Sequence, residues 1–299
     1  MLTIQTPAKI NLTLEVLSKR PDGYHEIRSV IQAISLHDTL HFESNRENII
    51  KSDDASWIAE QSLVSKAVAL FRQATGSSEG VEITVERRIP LGAGLGGDSS
   101  DAAAVLRGLN RLWQLSLPFE KLLEMARQLG SDVSFFLYGG TALLEGRGEI
   151  VTPLPNPPPA WLVLGLPPTP PTLFALGVPP IPPMQNKTKL LYEVLRKNHY
   201  TDGSITRKFI EEIKSGGSIS NSMIFNTFEN VAFSVFPGLN ASREHFIKLG
   251  TPSVHLAGSG PALFSLMPDN ADSESLYIQL NKQRMSPVTA QTIPDLDVT

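Results

Sequence analysis

Apolar and polar positions alternate at period two in the first part of the chain and recur at helical spacing later, so the sequence reads as a mixture of strands and helices. Ile10, Leu12, Leu14 and Val16 mark an early strand that sets Lys9 and Asn11, at its beginning, on the face opposite Ile10 and Leu12. Pro21-Asp22-Gly23 turns the chain, and strands are expected around Ser29 to Leu36 and Thr39 to Glu43. A helix from about Ser62 to Ala74 follows, with Leu63, Ala67, Leu70 and Phe71 apolar. Val81-Glu82-Ile83-Thr84-Val85-Glu86 alternates as a strand, and Ala102, Val105, Leu106, Leu109, Leu112 and Trp113 repeat as a helix. Leu117-Pro118-Phe119-Glu120 opens another helix, with Pro118 in its first turn; Gly130-Ser131-Asp132 ends it. Pro153 to Pro183 is proline-rich, which disfavours helix and suggests a domain junction, with a strand at Trp161 to Gly165. Helices are predicted over Lys187 to Leu195, Ile205 to Ile213 and Leu239 to Leu249. No internal repeat is present. Predominantly antiparallel strands mixed with helices give an α+β class.

Between the strand at 81–86 and the following helix lies Pro90-Leu91-Gly92-Ala93-Gly94-Leu95-Gly96-Gly97-Asp98-Ser99-Ser100. Glycines let backbone N–H groups approach an anion, and the free N–H groups of a helix's first turn add a positive field, so an ATP phosphate chain is a natural occupant. Three motifs overlap here. Gly92-x-Gly94-x-x-Gly97 has the dinucleotide pattern, but Gln114, Leu115 and Ser116 stand where the ribose-binding acid belongs. Gly92 and Gly97 have Walker A spacing, but Asp98 stands where that motif carries lysine. A plain helix entry with Ser99 or Ser100 as N-cap is the remaining local reading.

Two further segments bear on the choice: Pro7-Ala8-Lys9-Ile10-Asn11-Leu12, and Leu256-Ala257-Gly258-Ser259-Gly260-Pro261-Ala262-Leu263-Phe264. With the central loop they resemble the GHMP kinases, small-molecule kinases whose glycine-serine loop replaces Walker A. Arg20-Pro21-Asp22-Gly23-Tyr24-His25-Glu26, Gly130-Ser131-Asp132-Val133, Asn226-Thr227-Phe228-Glu229 and Val235-Phe236-Pro237 extend the resemblance over nearly the whole chain. They point to the branch whose acceptor is the 2-hydroxyl of 4-diphosphocytidyl-2-C-methyl-D-erythritol.

The resemblance implies a GHMP N-terminal domain over residues 1–155 and a ferredoxin-like C-terminal domain over 156–299, with the active site in the cleft between them. It implies ATP and Mg²⁺ as cofactors, with the loop from Pro90 to Ser100 on the ATP phosphates and Ser99 and Ser100 offering hydroxyls. Asp132 is the implied acceptor of the hydroxyl proton, and Lys9 the cation that stabilises developing negative charge. Without the resemblance, Asp132 reads equally as a helix cap and Lys9 as a strand-edge charge. Tyr24 and His25 are implied to read the cytosine by stacking and hydrogen bonding, with Asn11 on the acceptor side and Phe174 on the other face of the base. Gly258-Ser259-Gly260 is implied to support the first loop; alone it reads as a strand-to-helix turn. Three positions depart from the family pattern: Asp98 replaces a glycine and is expected to face solvent or Mg²⁺, Ser134 replaces a proline, and Ser62 replaces an asparagine that meets the adenine.

Composition narrows the alternatives. The 299 residues carry a formal charge of −4 and no cysteine, which argues against a nucleic-acid surface and excludes disulfides, thiol catalysis and cysteine zinc sites. No apolar run approaches the ~18–20 residues of a membrane span, and Lys9 interrupts any signal-peptide core, so a soluble cytoplasmic protein with no membrane or protein partner is expected. His37 and His41 have the spacing of a metal-binding helix but lie in a turn-to-strand segment, and no metal site is assigned to them. The rival functions are another GHMP kinase acting on mevalonate, a sugar or homoserine; a nicotinamide-dependent dehydrogenase; and a silent binding protein that keeps the fold.

Overall fold

The computed structural model describes residues 1–165, 186–251, 253–282 and 285–294. Two long strands, β1 (Leu2–Lys19) and β2 (His25–Asn45), pair antiparallel along their length and form the spine of a seven-stranded sheet. β3 (Ile49–Ser52) and β4 (Gly80–Glu86) extend it on one side, and β5 (Thr141–Gly146) and β6 (Ile150–Leu154) continue from β2.

The strands expected on either side of Leu36 are therefore one strand. Pro7 pairs with His37 and Ala8 with Ile34, so Ser35 and Leu36 form a bulge that absorbs the polar cluster read as a turn. Residues 6–16 of β1 are buried on both faces, where simple alternation was expected. Ile10 and Leu12 enter an apolar cluster with Leu95, Leu164 and Phe264, while Lys9 and Asn11, though 5% exposed, line a cavity.

Four helices cover the other face: α1 (Leu63–Thr75), α2 (Gly97–Leu112), α3 (Phe119–Leu129) and α4 (Ser131–Tyr138). Their buried side chains pack on Leu40, Phe42, Ile83 and Val85. Ser62 caps α1, accepting from the Ser65 N–H at 3.2 Å. The N-cap of α2 is Gly96, at φ +78°, and not Ser99 or Ser100, which fall within the first turn. Pro118 is the N-cap of α3, one position before the expected first turn. Gly130 separates α3 from α4, so Ser131 and Asp132 begin a helix where the sequence reading had them end one.

β7 (Trp161–Gly165), β9 (His255–Leu256), β10 (Leu263–Met267) and β11 (Pro287–Gln291) form a second sheet in the order β11-β7-β10-β9, all antiparallel. With helices between its first and second and its third and fourth strands, this is the ferredoxin-like arrangement. The intervening helices are α5 (Lys187–Val194), α6 (Ser204–Lys214), α7 (Glu229–Val235), α8 (Pro237–Lys248) and, before β11, α9 (Asn270–Lys282). Short β8 (Phe225–Asn226) crosses back and pairs parallel with β1 at Thr13 and Leu14.

Candidate active site

The glycine loop between β4 and α2 is held from two sides. The Lys9 N–H donates to Leu95 O at 2.9 Å, and the Ala262 N–H donates to Ala93 O at 3.0 Å. A Cβ on Gly94, at φ +86°, would fall 2.2 Å from Ala257 O; one on Gly96 would meet the Phe136 ring at 2.9 Å and Lys9 Cγ at 3.1 Å. Glycine is required here because the loop packs against a second one, residues 257–262, which connects β9 to β10 and is a strand-to-strand turn. Asn226 of β8 fixes that second loop, donating to Leu256 O at 2.9 Å and Gly258 O at 2.8 Å, and Glu229 accepts from the Leu256 N–H at 2.8 Å.

Lys9 projects between the loops. Its ammonium donates to Asn11 Oδ1 at 2.9 Å and lies 3.7 Å from Asp132 Oδ2; Asn11 in turn donates to Ser29 Oγ at 2.9 Å. A Cβ on Gly258 would come within 3.1 Å of the Lys9 Nζ, so the second loop also bounds this point. These groups face a cavity of about 1470 Å³ that also reaches Gly92, Gly94 and Gly96. Seven basic and three acidic side chains line it, in a chain of net charge −4, which suits an anionic ligand.

Part of the cavity wall is aromatic. The His25 ring stacks on Tyr192 of α5, with centroids 4.7 Å apart and planes at 15°, and meets Tyr200 edge-on at 6.0 Å. Burial and the Lys19 charge hold the His25 imidazole below its usual value. Burial and then the charge of Asp132 push the Tyr192 phenol up to about 12. Tyr24 is more than half exposed, and the Arg147 guanidinium lies over its ring at 4.5 Å. Phe174 lies outside the described residues.

Pro90, Leu91, Gly92, Ala93, Gly94, Gly96, Gly97, Asp98 and Ser99 line a smaller hollow of about 200 Å³ on the outer side of the loop, with Arg87 at its edge. Leu95 and Ser100 are buried and line neither space. Asp98 has protein partners that the sequence did not suggest: it accepts from Arg87 Nη1 at 3.3 Å and from the Trp57 indole at 3.4 Å. Arg87 is itself buried, 3.0 Å from Asp101 Oδ2 and 3.7 Å from Asp38 Oδ2. Burial and the neighbouring Asp38 push the Asp101 carboxyl up to about 8. The Ser62 hydroxyl is spent on its cap and on Ala59 O at 2.6 Å.

His37 and His41 both lie in β2. His37 Nδ1 is 2.8 Å from Ser35 O, and His41 bonds Thr3 and Glu86. Between them, Asp38 accepts the N–H groups of Arg88 and Ile89 at the entrance to the glycine loop. Four cavity residues lie outside the sequence motifs: Arg147, Lys187, Tyr192 and Tyr200. A lysine and a tyrosine five residues apart on α5 are visible only as a helix pattern until that helix is packed against the loops.

Residues 62–140 match the model of the GHMP kinases N terminal domain. The chain is 46% identical over 297 residues, 99% of its length and all of the relative's, to the 4-diphosphocytidyl-2-C-methyl-D-erythritol kinase of Dehalococcoides mccartyi strain 195. It is 37% identical over 288 residues to the enzyme of the same name from Geobacillus kaustophilus, covering 92% of this chain and 91% of that one. A crystal structure of a 4-(cytidine 5'-diphospho)-2C-methyl-D-erythritol kinase superposes with a TM-score of 0.79 at 31% identity, over 97% of this chain and 99% of that one. The loop, the lysine–aspartate pair and the full-length identity together place this chain in the 4-diphosphocytidyl-2-C-methyl-D-erythritol kinase branch of the GHMP kinase family.

Proposed function

We propose that the protein transfers the γ-phosphoryl group of ATP to the 2-hydroxyl of 4-diphosphocytidyl-2-C-methyl-D-erythritol, giving the 2-phosphate and ADP. The observation that carries this reading is the Lys9–Asp132 pair, set beside the interlocked glycine loops in a basic cavity whose wall also carries the His25–Tyr192 stack.

In this reading the ATP phosphates lie along the loop from Pro90 to Ser100. Asp132 accepts the proton of the attacking hydroxyl as the new P–O bond forms and the bond to ADP breaks. Lys9, anchored by Asn11, holds positive charge beside the oxygen on which negative charge develops. His25, neutral because burial and Lys19 oppose its protonation, keeps one ring donor and one acceptor for the edge of a base. Tyr24 supplies an exposed ring face for stacking, worth about 1–3 kcal/mol per base. Mg²⁺ carried on the ATP phosphates would find a hard-oxygen donor in the Ser99 hydroxyl, which lines the hollow outside the loop, and the ion needs few protein carboxylates. When bound it neutralises phosphate charge. The change from the first sheet to the second between β6 and β7 supports a division at residues 155/156, with the cavity between the two parts. A chain free of cysteine, with no described helix long and apolar enough to cross a membrane, supports a cytoplasmic setting.

Phosphorus NMR of the protein with MgATP and the cytidine-diphosphate substrate tests the proposal. A new phosphomonoester signal is expected, with no transfer to mevalonate or homoserine; transfer to either of those instead overturns it.

A further inference from the structure

We infer that Lys187, at the start of α5, supplies from outside the glycine loop the phosphate-binding cation that the loop itself lacks. The inference rests on the kinase reading above. In a Walker A loop a lysine within the motif reaches the terminal phosphates; here Asp98 holds that place and is paired with Arg87. The Lys187 ammonium instead reaches the loop from across the cavity. It donates to Gly92 O at 2.8 Å and also to Gly260 O, so one cation is pinned to both glycine loops. The neighbouring Thr188 hydroxyl meets Ser259 Oγ at 2.8 Å, which fixes the first turn of α5 against the second loop.

An ammonium has three N–H donors. Two are spent on peptide carbonyls, and the third remains on a group that lines the cavity beside Gly92, Gly94 and Gly96. Among the described residues no carboxylate lies within ion-pair distance of Lys187. The charged groups that share its cavity are Lys9 and Lys19 from β1, Asp22, Arg127 from α3, Asp132 from α4, Arg147, Lys189 and Glu193 from its own helix, and Arg196; the two glycine loops bring peptide groups and the Ser259 hydroxyl to it. Burial and then the Lys9 charge lower the Lys187 ammonium to about 8. A cation desolvated without an anionic partner has unmet demand for one, and a phosphate oxygen meets it.

The test compares wild type with Lys187→Met and Lys187→Arg, measuring kcat, both KM values and the pH dependence of kcat/KM for ATP. Lys187→Met is expected to lower kcat/KM for ATP on the order of 100-fold, the loss typical of one positioned donor to transferring charge, with KM for the cytidine substrate nearly unchanged. Wild type is expected to lose kcat/KM for ATP above pH 8, and Lys187→Arg to restore activity and remove that alkaline limb. Lys187→Met that is folded by circular dichroism and keeps wild-type kcat/KM overturns the inference. So does an alkaline limb that persists in Lys187→Arg, since a residue acting only as a staple would not move it. If wild type transfers nothing to the cytidine substrate, the kinase assignment fails on its own. Calorimetric MgATP affinity then still judges Lys187: the inference expects at least tenfold weaker binding in Lys187→Met, and equal affinity overturns it.

Discussion

The Lys9 ammonium stands 3.7 Å from Asp132 Oδ2 while its hydrogen bond goes to Asn11, so the two groups are held side by side, where one oxygen set beside the pair can touch both. Lys9 is buried and Asp132 about one-third exposed, as expected of a fixed cation beside a carboxylate that must meet an incoming hydroxyl.

Asp132→Asn is expected to lower kcat about 100-fold or more, within the range of a positioned general base, while MgATP still binds with near wild-type affinity. Phosphorus NMR for turnover and calorimetry for binding check both halves. Equal loss in turnover and ATP affinity would mean that Asp132 acts on binding and not on proton transfer.

Tyr192→Leu removes the partner of the His25 ring. Aromatic pairs contribute about 0.5–1.5 kcal/mol beyond area burial, so KM for the cytidine substrate is expected to rise between about two- and tenfold with KM for ATP unchanged. Steady-state kinetics in each substrate decides whether the stack serves the base or only the fold.

Gly94→Ala and Gly92→Ala separate close packing from backbone conformation. Both glycines have positive φ, but only a Cβ at Gly94 strikes a carbonyl, Ala257 O. Gly94→Ala is expected to abolish MgATP binding. Gly92→Ala meets nothing within 4 Å and is expected to cost only the left-handed strain, roughly 1–2 kcal/mol, read as a lower melting temperature with binding retained.

Asp101 links pH to stability behind the glycine loop. Its folded value, about 8, lies above its usual 3.8, so between those limits the folded state holds a proton that the unfolded state releases. Stability from this group is present at low pH, declines as pH rises from about 4, and is lost by about 8. Melting temperatures of wild type and Asp101→Asn from pH 5 to 9.5 are expected to diverge progressively up to pH 8, with wild type falling, and to run parallel above it. A constant gap across the range contradicts the shift.

Asp98→Gly introduces the glycine that the family resemblance implies at this position. Asp98 is paired with Arg87 yet 39% exposed, and partly exposed pairs contribute little. Turnover is expected to change less than tenfold in a coupled ATPase-style assay; a far larger loss would point to contact with the metal ion.

Much of the fold was legible because local chemistry and tertiary structure agree. The helix expected from about Ser62 to Ala74 is α1, Leu63–Thr75, with Ser62 as its N-cap, and Trp161 to Gly165 is β7 as expected. The reading failed where packing overrides local signals. His37 to Thr39 looks like a turn because polar residues cluster there, but a bulge carries the strand through and aims Asp38 at the loop. Ser99 and Ser100 look like caps, yet the tight approach of Phe136 and Lys9 leaves room at that corner only for a residue without a Cβ, and Gly96 takes the position. The motifs at Lys9, Asp132 and His25 mark residues that line the cavity, whereas Tyr192 and Lys187 reach it from a helix whose docking no spacing encodes.

The two glycine loops are stitched to each other by atoms of the peptide chain: Ala93 O receives the Ala262 N–H, and Gly94 has Ala257 O where a methyl group would stand. Such a seam cannot be recombined piecewise. A chimera joining the first 165 residues of this chain to the latter half of a distant relative would keep Lys9 and Asp132, yet it would have to reproduce this backbone fit and the Lys187 contacts to both loops across the join. A compound wedged into the seam would meet peptide atoms of both loops.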